Sequence, residues 1–213
     1  MSDNTTAQPI KLLVVDDHFV VRSGVVASLA LEEDLDVVAE AETGDQALVL
    51  YREKRPDVVI MDLRLPGKNG IEATAELMKE FPQARVLIFT TYDGDEDIYR
   101  ATQAGAFGYL LKSSPREELL AAVRALAKGE RFMPPAISSR LAARVAEPDL
   151  SPREQEILQL LGRGLSNKEI GAQLFISEDT VKRHISNLFV KLKVNDRAQA
   201  TAEAIRRGFI HLD

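Results

Sequence analysis

Five polar residues between positions 16 and 112 stand at the ends of four short apolar runs. They are Asp16, Asp17, Asp62, Thr90 and Lys112. Carboxylates that share one crevice repel each other unless a cation joins them, and oxygen ligands favour Mg²⁺ or a similar hard ion. A carboxylate beside such an ion can attack phosphorus and form an acyl phosphate, while a hydroxyl and an ammonium stabilise the phosphoryl oxygens. These residue types are therefore the ones that phosphoryl transfer to an aspartate needs.

The residues after Asp62 predict how its side chain is presented. The stretch Leu63–Gly67 contains Arg, Pro and Gly, which is typical of a loop rather than of a helix. Such a loop exposes the Asp62 carboxylate and leaves the Arg64 carbonyl free to point at a bound ion. Thr90 would donate a hydrogen bond to a phosphoryl oxygen, and Lys112 would donate a charged one.

The elements that must position these residues form an α/β pattern. Strands are predicted at about 11–15, 36–41, 57–61, 85–90 and 107–111, and helices at about 19–31, 45–54, 70–80, 95–104 and 115–128. Continuous Val/Ile/Leu runs that alternate with helices indicate a five-stranded parallel sheet, doubly wound and covered on both faces. In such sheets ligands bind beyond the carboxyl ends of the strands, so the five polar residues should meet at one edge.

Cap residues mark where several helices begin and end. Ser114–Glu117 and Ser151–Glu154 both have the Ser-x-x-Glu pattern of a capping box with Pro at the first helical position. Gly129 and Gly164 stand where helices should stop. Prolines 134, 135 and 148 bracket an irregular stretch, of which about 136–145 has a helical pattern. We therefore predict one domain at 9–129, a linker at 130–149 and a second domain at 150–213.

Length and composition limit the classes of protein to consider. A chain of 213 residues can bury two modest cores, and the lack of cysteine excludes disulfides, thiolate metal sites and thiol nucleophiles. The leader Met1–Pro9 is short and polar and no apolar run approaches membrane-spanning length, so we expect a cytoplasmic protein without a membrane partner. The net charge is −6, but residues 150–213 carry ten basic and eight acidic residues, which weakly indicates that this part meets a polyanion.

The second domain has the pattern of a small all-α helix-turn-helix unit. Helices are predicted at 152–163, from a Ser166–Glu169 cap to Leu174, at about 178–192 and at about 197–207. The helix at 178–192 places apolar residues on one face, namely Val181, Ile185, Leu188 and Leu192. Its opposite face carries hydrogen-bond donors, namely Arg183, Ser186 and Asn187, with Lys182 and Lys193 on the flank. Two helices joined by a tight turn, the second with outward donors, are typical of a DNA-binding motif.

The first domain resembles the receiver domain of bacterial two-component response regulators over about residues 9–129. The motifs that carry this resemblance are Val14–His18, Ile60–Pro66, Phe89–Tyr92 and Ala104–Lys112. The resemblance implies a flavodoxin-like fold in which Asp62 accepts a phosphoryl group from a sensor histidine kinase. It implies that Asp17 binds Mg²⁺ directly, Asp16 directly or through water, and Arg64 through its backbone carbonyl. Thr90 and Tyr109 occupy the two switch positions of the family.

The second domain is similar to the LuxR-type DNA-binding domain, and the combination is that of the NarL/FixJ type of response regulator. The matching stretches are Leu150–Glu154, Ser166–Ile170 and Ser177–Ile185. The resemblance implies that the second helix of the motif enters the major groove of promoter DNA. The residues expected to contact DNA are then Lys182, Arg183 and Ser186, with Asn187 as a plausible neighbour. Arg183 could read guanine through a forked contact, while lysines mostly position the backbone.

Three positions depart from the usual pattern of these families. Val190 stands where relatives often have a basic residue, and Lys193 where many have Gly. Many receivers have Pro directly after the lysine with a cis bond, whereas here two serines precede Pro115, so we expect no cis bond and a helix that starts at Pro115. The low positive charge of the second domain predicts that one copy binds a DNA half-site weakly and in a salt-sensitive way. The affinity for DNA should then depend on the pairing of two copies.

Phosphorylation of Asp62 is expected to draw Thr90 inward and to let Tyr109 turn into the vacated space. The face at about 95–128 would then change shape and offer a dimerisation surface. Ala198, Ala202, Ile205 and Phe209 form a second stripe that could meet a partner helix or, equally well, pack within its own domain. Homodimerisation on activation is the expectation.

Each of these residues taken alone also has an ordinary structural interpretation. Asp16 or Asp62 alone would be a helix cap or loop residue in most proteins, Tyr109 alone a core aromatic, and Lys182 with Arg183 a solvated face as often as a contact surface. For Asp16 and Asp62, the agreement of five polar positions makes a functional site the favoured interpretation. We therefore expect a phosphorylation-activated transcriptional regulator rather than an enzyme. The alternatives are a DNA-binding regulator that needs no phosphorylation and, less favoured, a Mg²⁺-dependent phosphohydrolase with an aspartyl nucleophile.

Overall fold

The structure is a computed structural model that describes residues 8–211, so most of the predicted leader and the last two residues of the predicted second domain lie outside the described part. The chain forms two compact units. Residues 8–92 and 100–138 make the first, and residues 93–99 and 139–211 make the second. The predicted domain boundaries stay a prediction. Within 8–211, none of the helices has both the length and the hydropathy that crossing a membrane requires.

A five-stranded parallel sheet is the centre of the first unit, which confirms the predicted fold class. The strands are β1 (Ile10–Val15), β2 (Leu35–Ala41), β3 (Val58–Met61), β4 (Val86–Thr90) and β5 (Gly108–Leu111). The helices that follow the strands along the chain are α1 (Phe19–Leu29), α2 (Gly44–Lys54), α3 (Gly70–Glu80), α4 (Asp95–Gln103, whose first five residues belong to the second unit) and α5 (Arg116–Ala127). The strand order is β2-β1-β3-β4-β5. Because the chain moves from β1 outward in both directions, the topological switch point lies between β1 and β3.

The strands β3 and β4 are buried along their whole length, as the continuous apolar runs predict. Every residue of β3 and β4 is buried. Leu12, Leu87, Leu110 and Leu126 are fully buried in the core cluster of this unit. Burial of one such side chain contributes roughly 1.5–3 kcal/mol, so packing of the sheet against its helices dominates the stability of this unit.

Backbone hydrogen bonds bring the carboxyl ends of the strands together. The Asp62 amide donates to the Val15 carbonyl at 2.9 Å, and the Lys112 amide donates to the Thr90 carbonyl at 2.8 Å. The residue after β3 therefore lies beside the end of β1, and the residue after β5 lies beside the end of β4.

One predicted helix start is wrong. Helix α5 begins at Arg116, and its N-cap is Pro115, in an extended conformation (ψ 149°) and without a side-chain cap. The Ser114–Glu117 capping box does not form because the Ser114 amide donates to the Leu111 carbonyl at 2.9 Å, which turns the chain before the helix starts. The predicted ends at Gly129, Gly164 and Gly208 are confirmed, since each has a positive φ. Residues 8–211 contain no cis peptide bond.

The second unit is helical. Its helices are α6 (Pro135–Val145, whose first residues belong to the first unit), α7 (Pro152–Gly162), α8 (Asn167–Leu174), α9 (Glu178–Leu192) and α10 (Arg197–Arg207). Helix α6 lies in the stretch predicted as a linker. Residues 93–99 belong to this unit through contacts such as the buried ion pair of Glu96 with Arg144 at 2.7 Å.

Helices α8 and α9 form the predicted helix-turn-helix. The capping boxes at Ser151 and Ser166 are both present, and the Asp196 side chain accepts from the Gln199 amide at 2.8 Å at the start of α10. In the turn, the Ile176 amide donates to the Gly171 carbonyl at 3.0 Å. Val181, Leu188 and Leu192 are buried as predicted, and Ile185 is partly buried.

Candidate functional site

The structure brings the carboxylates after β1 and β3 into one cluster. Asp16 and Asp62 are buried, with 3% and 4% of their surface exposed, whereas Asp17 is exposed. One ligand atom from each of Asp16, Asp17, His18 and Asp62 lies within 4.8 Å of the others. Three carboxylates in this spacing supply the hard oxygen ligands that a single divalent ion needs, so the residues present fit Mg²⁺.

Lys112 joins two of these carboxylates. Its ammonium lies 2.6 Å from Asp16 Oδ2 and 2.8 Å from Asp62 Oδ2. Burial lowers the pKa of Lys112, but the hydrogen bonds with Asp16 and Asp62 outweigh burial and raise the pKa above its ordinary value. A permanent cation therefore stands beside the carboxylate that would receive a phosphoryl group, where it can neutralise oxygen charge.

The loop after β3 fixes the direction of the Asp62 side chain. The Leu63 amide donates to Asp62 Oδ1 at 2.7 Å. Gly70, the first residue of α3, packs so closely that a Cβ there would lie 2.0 Å from the Asp62 carbonyl oxygen. A side chain at position 70 would push the loop away from the sheet, so glycine is required by this close approach.

A cleft of about 390 Å³ opens beside the carboxylates. It is lined by Asp17, His18, Arg64, Leu65, Pro66, Asn69 and Tyr92. The guanidinium of Arg64 lies over the Tyr92 ring, 5.4 Å from its centre. The His18 side chain is 68% exposed, and its Nδ1 lies 2.9 Å from an Asp17 carboxylate oxygen. The cleft gives solvent access to the exposed side of the carboxylate cluster, where Asp17 and His18 lie.

The two predicted switch residues lie in the interior next to this site. Thr90 is fully buried, and its hydroxyl accepts from the Tyr92 amide at 3.4 Å. Tyr109 is 1% exposed and its hydroxyl donates to the Tyr92 carbonyl at 2.7 Å. The Tyr109 ring is therefore already buried in this structure. A further turn of the ring into space that Thr90 vacates after phosphorylation stays a prediction.

One residue of the site was missed at the sequence level. Arg22 in α1 is buried and its guanidinium donates to the Asp16 carbonyl at 2.5 Å. The sequence held a signal for it, since Arg22 lies three, four and seven residues before Val25, Val26 and Leu29, which is the core-facing spacing of a helix.

Helix α9 exposes all four residues predicted to contact DNA. Lys182, Arg183, Ser186 and Asn187 are each exposed to solvent. The Lys182 ammonium lies 3.1 Å from Glu178 and 3.4 Å from Asp179, and hydrogen bonds with these carboxylates raise the pKa of Lys182. Val190 is 78% exposed and lies four and eight residues after Ser186 and Lys182, hence on their face.

The stripe on α10 divides into two parts. Ala198 and Ala202 are exposed, whereas Ile205 and Phe209 are partly buried. Phe209 packs against the core cluster that includes Leu188 and Ala204. The two alanines are therefore the part of the stripe that is open to a partner.

Comparison with known proteins matches both halves of the chain to protein families. Residues 12–124 match the response regulator receiver domain, and residues 148–204 match the bacterial regulatory proteins of the LuxR family. The chain is 38% identical to the transcriptional regulatory protein LiaR of Bacillus subtilis, over 95% of this chain and 100% of that protein. It is 35% identical to the transcriptional regulatory protein DegU of Brevibacillus brevis, over 99% of both chains.

A solved structure of a DNA-bound regulator is similar to most of this chain. RcsB from Salmonella enterica serovar Typhimurium, in a complex with promoter DNA and the phosphomimetic BeF₃⁻, matches with a TM-score of 0.71 and 26% identity over 92% of this chain and 98% of that chain. Together with the two family matches, this shows that the chain belongs to the two-component response regulators that join a receiver domain to a LuxR-type DNA-binding domain, and that it is a transcriptional regulator.

Proposed function

We propose that phosphorylation of Asp62 switches this regulator, and that the phosphorylated chain binds promoter DNA through α9 as a homodimer. The observation that carries the proposal is the bridge of Lys112 between Asp16 and Asp62 at 2.6 and 2.8 Å. A cation held against two buried carboxylates can neutralise the negative oxygens that a phosphoryl group would bring to the site.

The phosphodonor is the phosphohistidine of a sensor kinase. An Asp62 carboxylate oxygen attacks phosphorus, a P–O bond forms as the P–N bond breaks, and the imidazole leaves with the electron pair. Asp16, Asp17, Asp62 and the Arg64 carbonyl would hold Mg²⁺, and the bound ion would supply positive charge that offsets charge on the transferred oxygens. Lys112 contributes a fixed positive charge, and the Thr90 hydroxyl donates to a phosphoryl oxygen.

The signal leaves the site through the segment after β4. Thr90 and Tyr109 both bond the backbone of Tyr92, through its amide and its carbonyl. When a phosphoryl group draws the Thr90 side chain towards itself, the Thr90 hydroxyl moves away from the Tyr92 amide and this bond lengthens, so the Tyr92 backbone gains a second arrangement. The face at about 95–128 follows this segment, and its change favours the dimer.

DNA recognition is assigned to the exposed face of α9. Arg183 is placed to read base edges, Lys182 to contact phosphate once it leaves Glu178 and Asp179, and Ser186 and Asn187 to donate hydrogen bonds. The promoter-bound RcsB structure supports this use of the domain. Ala198 and Ala202 on α10 allow a second copy to approach closely.

Hydrolysis of external phosphoesters is the less supported function. Such hydrolases need an acid to protonate the leaving group, and the residue two positions after Asp62 is Arg64, which cannot serve as one. We therefore do not assign the chain an enzymatic role.

The test uses the full chain and its Asp62→Asn variant with acetyl phosphate and Mg²⁺. We expect labelling of the wild type only, a shift to dimer in size-exclusion chromatography, and at least ten-fold tighter binding to selected promoter fragments. Asp45→Asn is the control, because the Asp45 side chain is exposed and pairs with Lys68 away from the cluster.

Three outcomes separate the candidate functions. Labelling with tighter DNA binding supports the proposal. DNA binding of equal strength with and without labelling supports a regulator that needs no phosphorylation. Repeated turnover of p-nitrophenyl phosphate that Asp62→Asn abolishes supports the phosphohydrolase.

A further inference from the structure

Arg22 is a buried arginine that the phosphoryl chemistry does not use. It is 6% exposed, on a helix where Leu29 is the other buried residue. Burial of a guanidinium costs free energy unless its N–H donors are paired. The acceptors that pair with Arg22 therefore indicate why it is buried.

The Arg22 guanidinium ties three segments together. It donates to the Asp16 carbonyl at 2.5 Å, to Glu40 at 3.2 Å and to Glu42 at 2.7 Å. Glu40 lies in β2 and Glu42 directly after it, while Asp16 is the first residue after β1. The planar fork of arginine can serve these acceptors at once in a fixed direction, which an ammonium cannot.

These bonds complete the fixation of the Asp16 backbone. The Asp16 amide already donates to the Ala41 carbonyl at 3.1 Å, at the end of β2. The Arg22 bond holds the carbonyl of the same residue, so both polar groups of the Asp16 main chain are anchored. The direction of that carbonyl sets the path into Asp17, and therefore the separation of the two carboxylates.

We propose that Arg22 is a positioning residue for the cation site, acting through the Asp16 carbonyl rather than by contact with the ion. The inference rests on the proposed function, because it concerns the Mg²⁺ site at Asp16, Asp17 and Asp62. The two glutamates hold the guanidinium in place. Both are at least 46% exposed, so they can return to water when Arg22 is removed.

The direction in which Mg²⁺ affinity changes when Arg22 is replaced distinguishes a positioning role from a purely electrostatic one. Loss of a cation near three carboxylates makes the site more negative, and charge alone then predicts tighter binding of Mg²⁺. Loss of positioning predicts weaker binding, because the carboxylates no longer lie at the spacing of one ion. The two explanations therefore predict opposite changes in the same quantity.

The experiment measures the Kd of Mg²⁺ by calorimetry on the full chain, together with the melting temperature. For Arg22→Met we expect a Kd at least five-fold higher than that of the wild type. Arg85→Met is the matched control, because Arg85 is also partly buried and donates to a main-chain carbonyl, that of Ala127 at 2.5 Å, but stands at the amino end of β4. It should lower the melting temperature and leave the Kd unchanged.

A Kd for Arg22→Met equal to or lower than that of the wild type overturns the inference, whatever the melting temperature. If Arg22→Met does not fold, Arg22→Gln is measured in its place, because the shorter amide can bond a glutamate without reaching the Asp16 carbonyl, and the same criterion applies. Absence of Mg²⁺ binding in the wild type would instead defeat the proposed function, so the two failures are distinguishable.

Discussion

The Tyr109 hydroxyl donates a 2.7 Å hydrogen bond to the Tyr92 carbonyl, and so joins the last strand of the sheet to the segment that follows β4. The Tyr109 ring is buried, and the Tyr92 amide bonds the Thr90 hydroxyl. The backbone of Tyr92 is thus held from both of the predicted switch positions, Thr90 and Tyr109. Loss of the Tyr109 hydrogen bond therefore tests whether Tyr92 transmits the proposed phosphorylation signal.

Replacement of Tyr109 by Phe should weaken that coupling without disturbing the site. The ring stays buried and one hydrogen bond is lost, which costs about 1 kcal/mol of unfolding free energy. We expect normal labelling of Asp62 by acetyl phosphate but a gain in DNA affinity on labelling that is at least three-fold smaller. Fluorescence anisotropy with labelled and unlabelled protein measures this gain. Tyr99→Phe is the control, and an undiminished gain in Tyr109→Phe would show that the bond to Tyr92 does not transmit the signal.

Replacement of Lys112 by Met should change metal binding and phosphorylation in opposite directions. Without the ammonium, Asp16 and Asp62 repel each other, and a divalent ion relieves that repulsion, so the Kd of Mg²⁺ should fall about ten-fold. The labelling rate should fall at least a hundred-fold, because a donor to the phosphoryl oxygens is lost. Calorimetry and a phosphate-affinity gel measure the two quantities. A weaker Mg²⁺ site in Lys112→Met would mean that the lysine holds the carboxylates in place rather than competing with the ion.

Replacement of Val190 by Lys should strengthen DNA binding without adding sequence preference. Val190 is 78% exposed on the face that carries Lys182 and Ser186, so a lysine there would reach phosphate. One added phosphate contact should steepen the dependence of log Kd on log salt concentration by about 0.9. Anisotropy titrations between 50 and 200 mM salt test this, with Val145→Lys as the control because Val145 is exposed on α6. An unchanged slope would show that position 190 lies off the DNA.

Stability should depend on pH through Glu203 in α10. Its hydrogen bond with Arg206, helped by Arg207 and opposed by burial, lowers the pKa of Glu203 from 4.5 to about 2. The folded pKa lies below the unfolded one, so the stabilisation is complete above about pH 5 and is lost as the pH falls from 5 towards 2. Because Arg206, the main partner of Glu203, is exposed to solvent, we expect about 1 kcal/mol rather than the full value of the shift.

The measurement compares urea unfolding of the wild type and Glu203→Gln at pH 7, 4 and 2.5. The difference in unfolding free energy should be largest at pH 7 and shrink towards pH 2.5. Glu53→Gln, an exposed change on α2, should show no such trend. A difference for Glu203→Gln that does not vary with pH would contradict the assignment.

Much of this architecture could be predicted because its signals are local. Apolar runs alternating with helices predict a parallel sheet, and a parallel sheet places the ends of its strands at one edge, so Asp16, Asp62 and Lys112 could be expected to meet. The caps at Ser151, Ser166 and Asp196 depend on side chains three residues apart and formed as expected. The exposure of the α9 residues that are predicted to contact DNA followed from helical periodicity, whereas the prediction that they contact DNA came from the family resemblance.

Other features depend on distances that residue order does not contain. The start of α5 at Arg116 follows from a turn between Leu111 and Ser114, which competed with the capping box. The inward position of Tyr109 depends on the Tyr92 carbonyl, 17 residues away along the chain. The bonds of Arg22 to Asp16 and Glu42 join residues whose proximity exists only once β1 and β2 have paired. Helix spacing can place an arginine towards the core, but which carbonyl it meets there is a property of the folded chain.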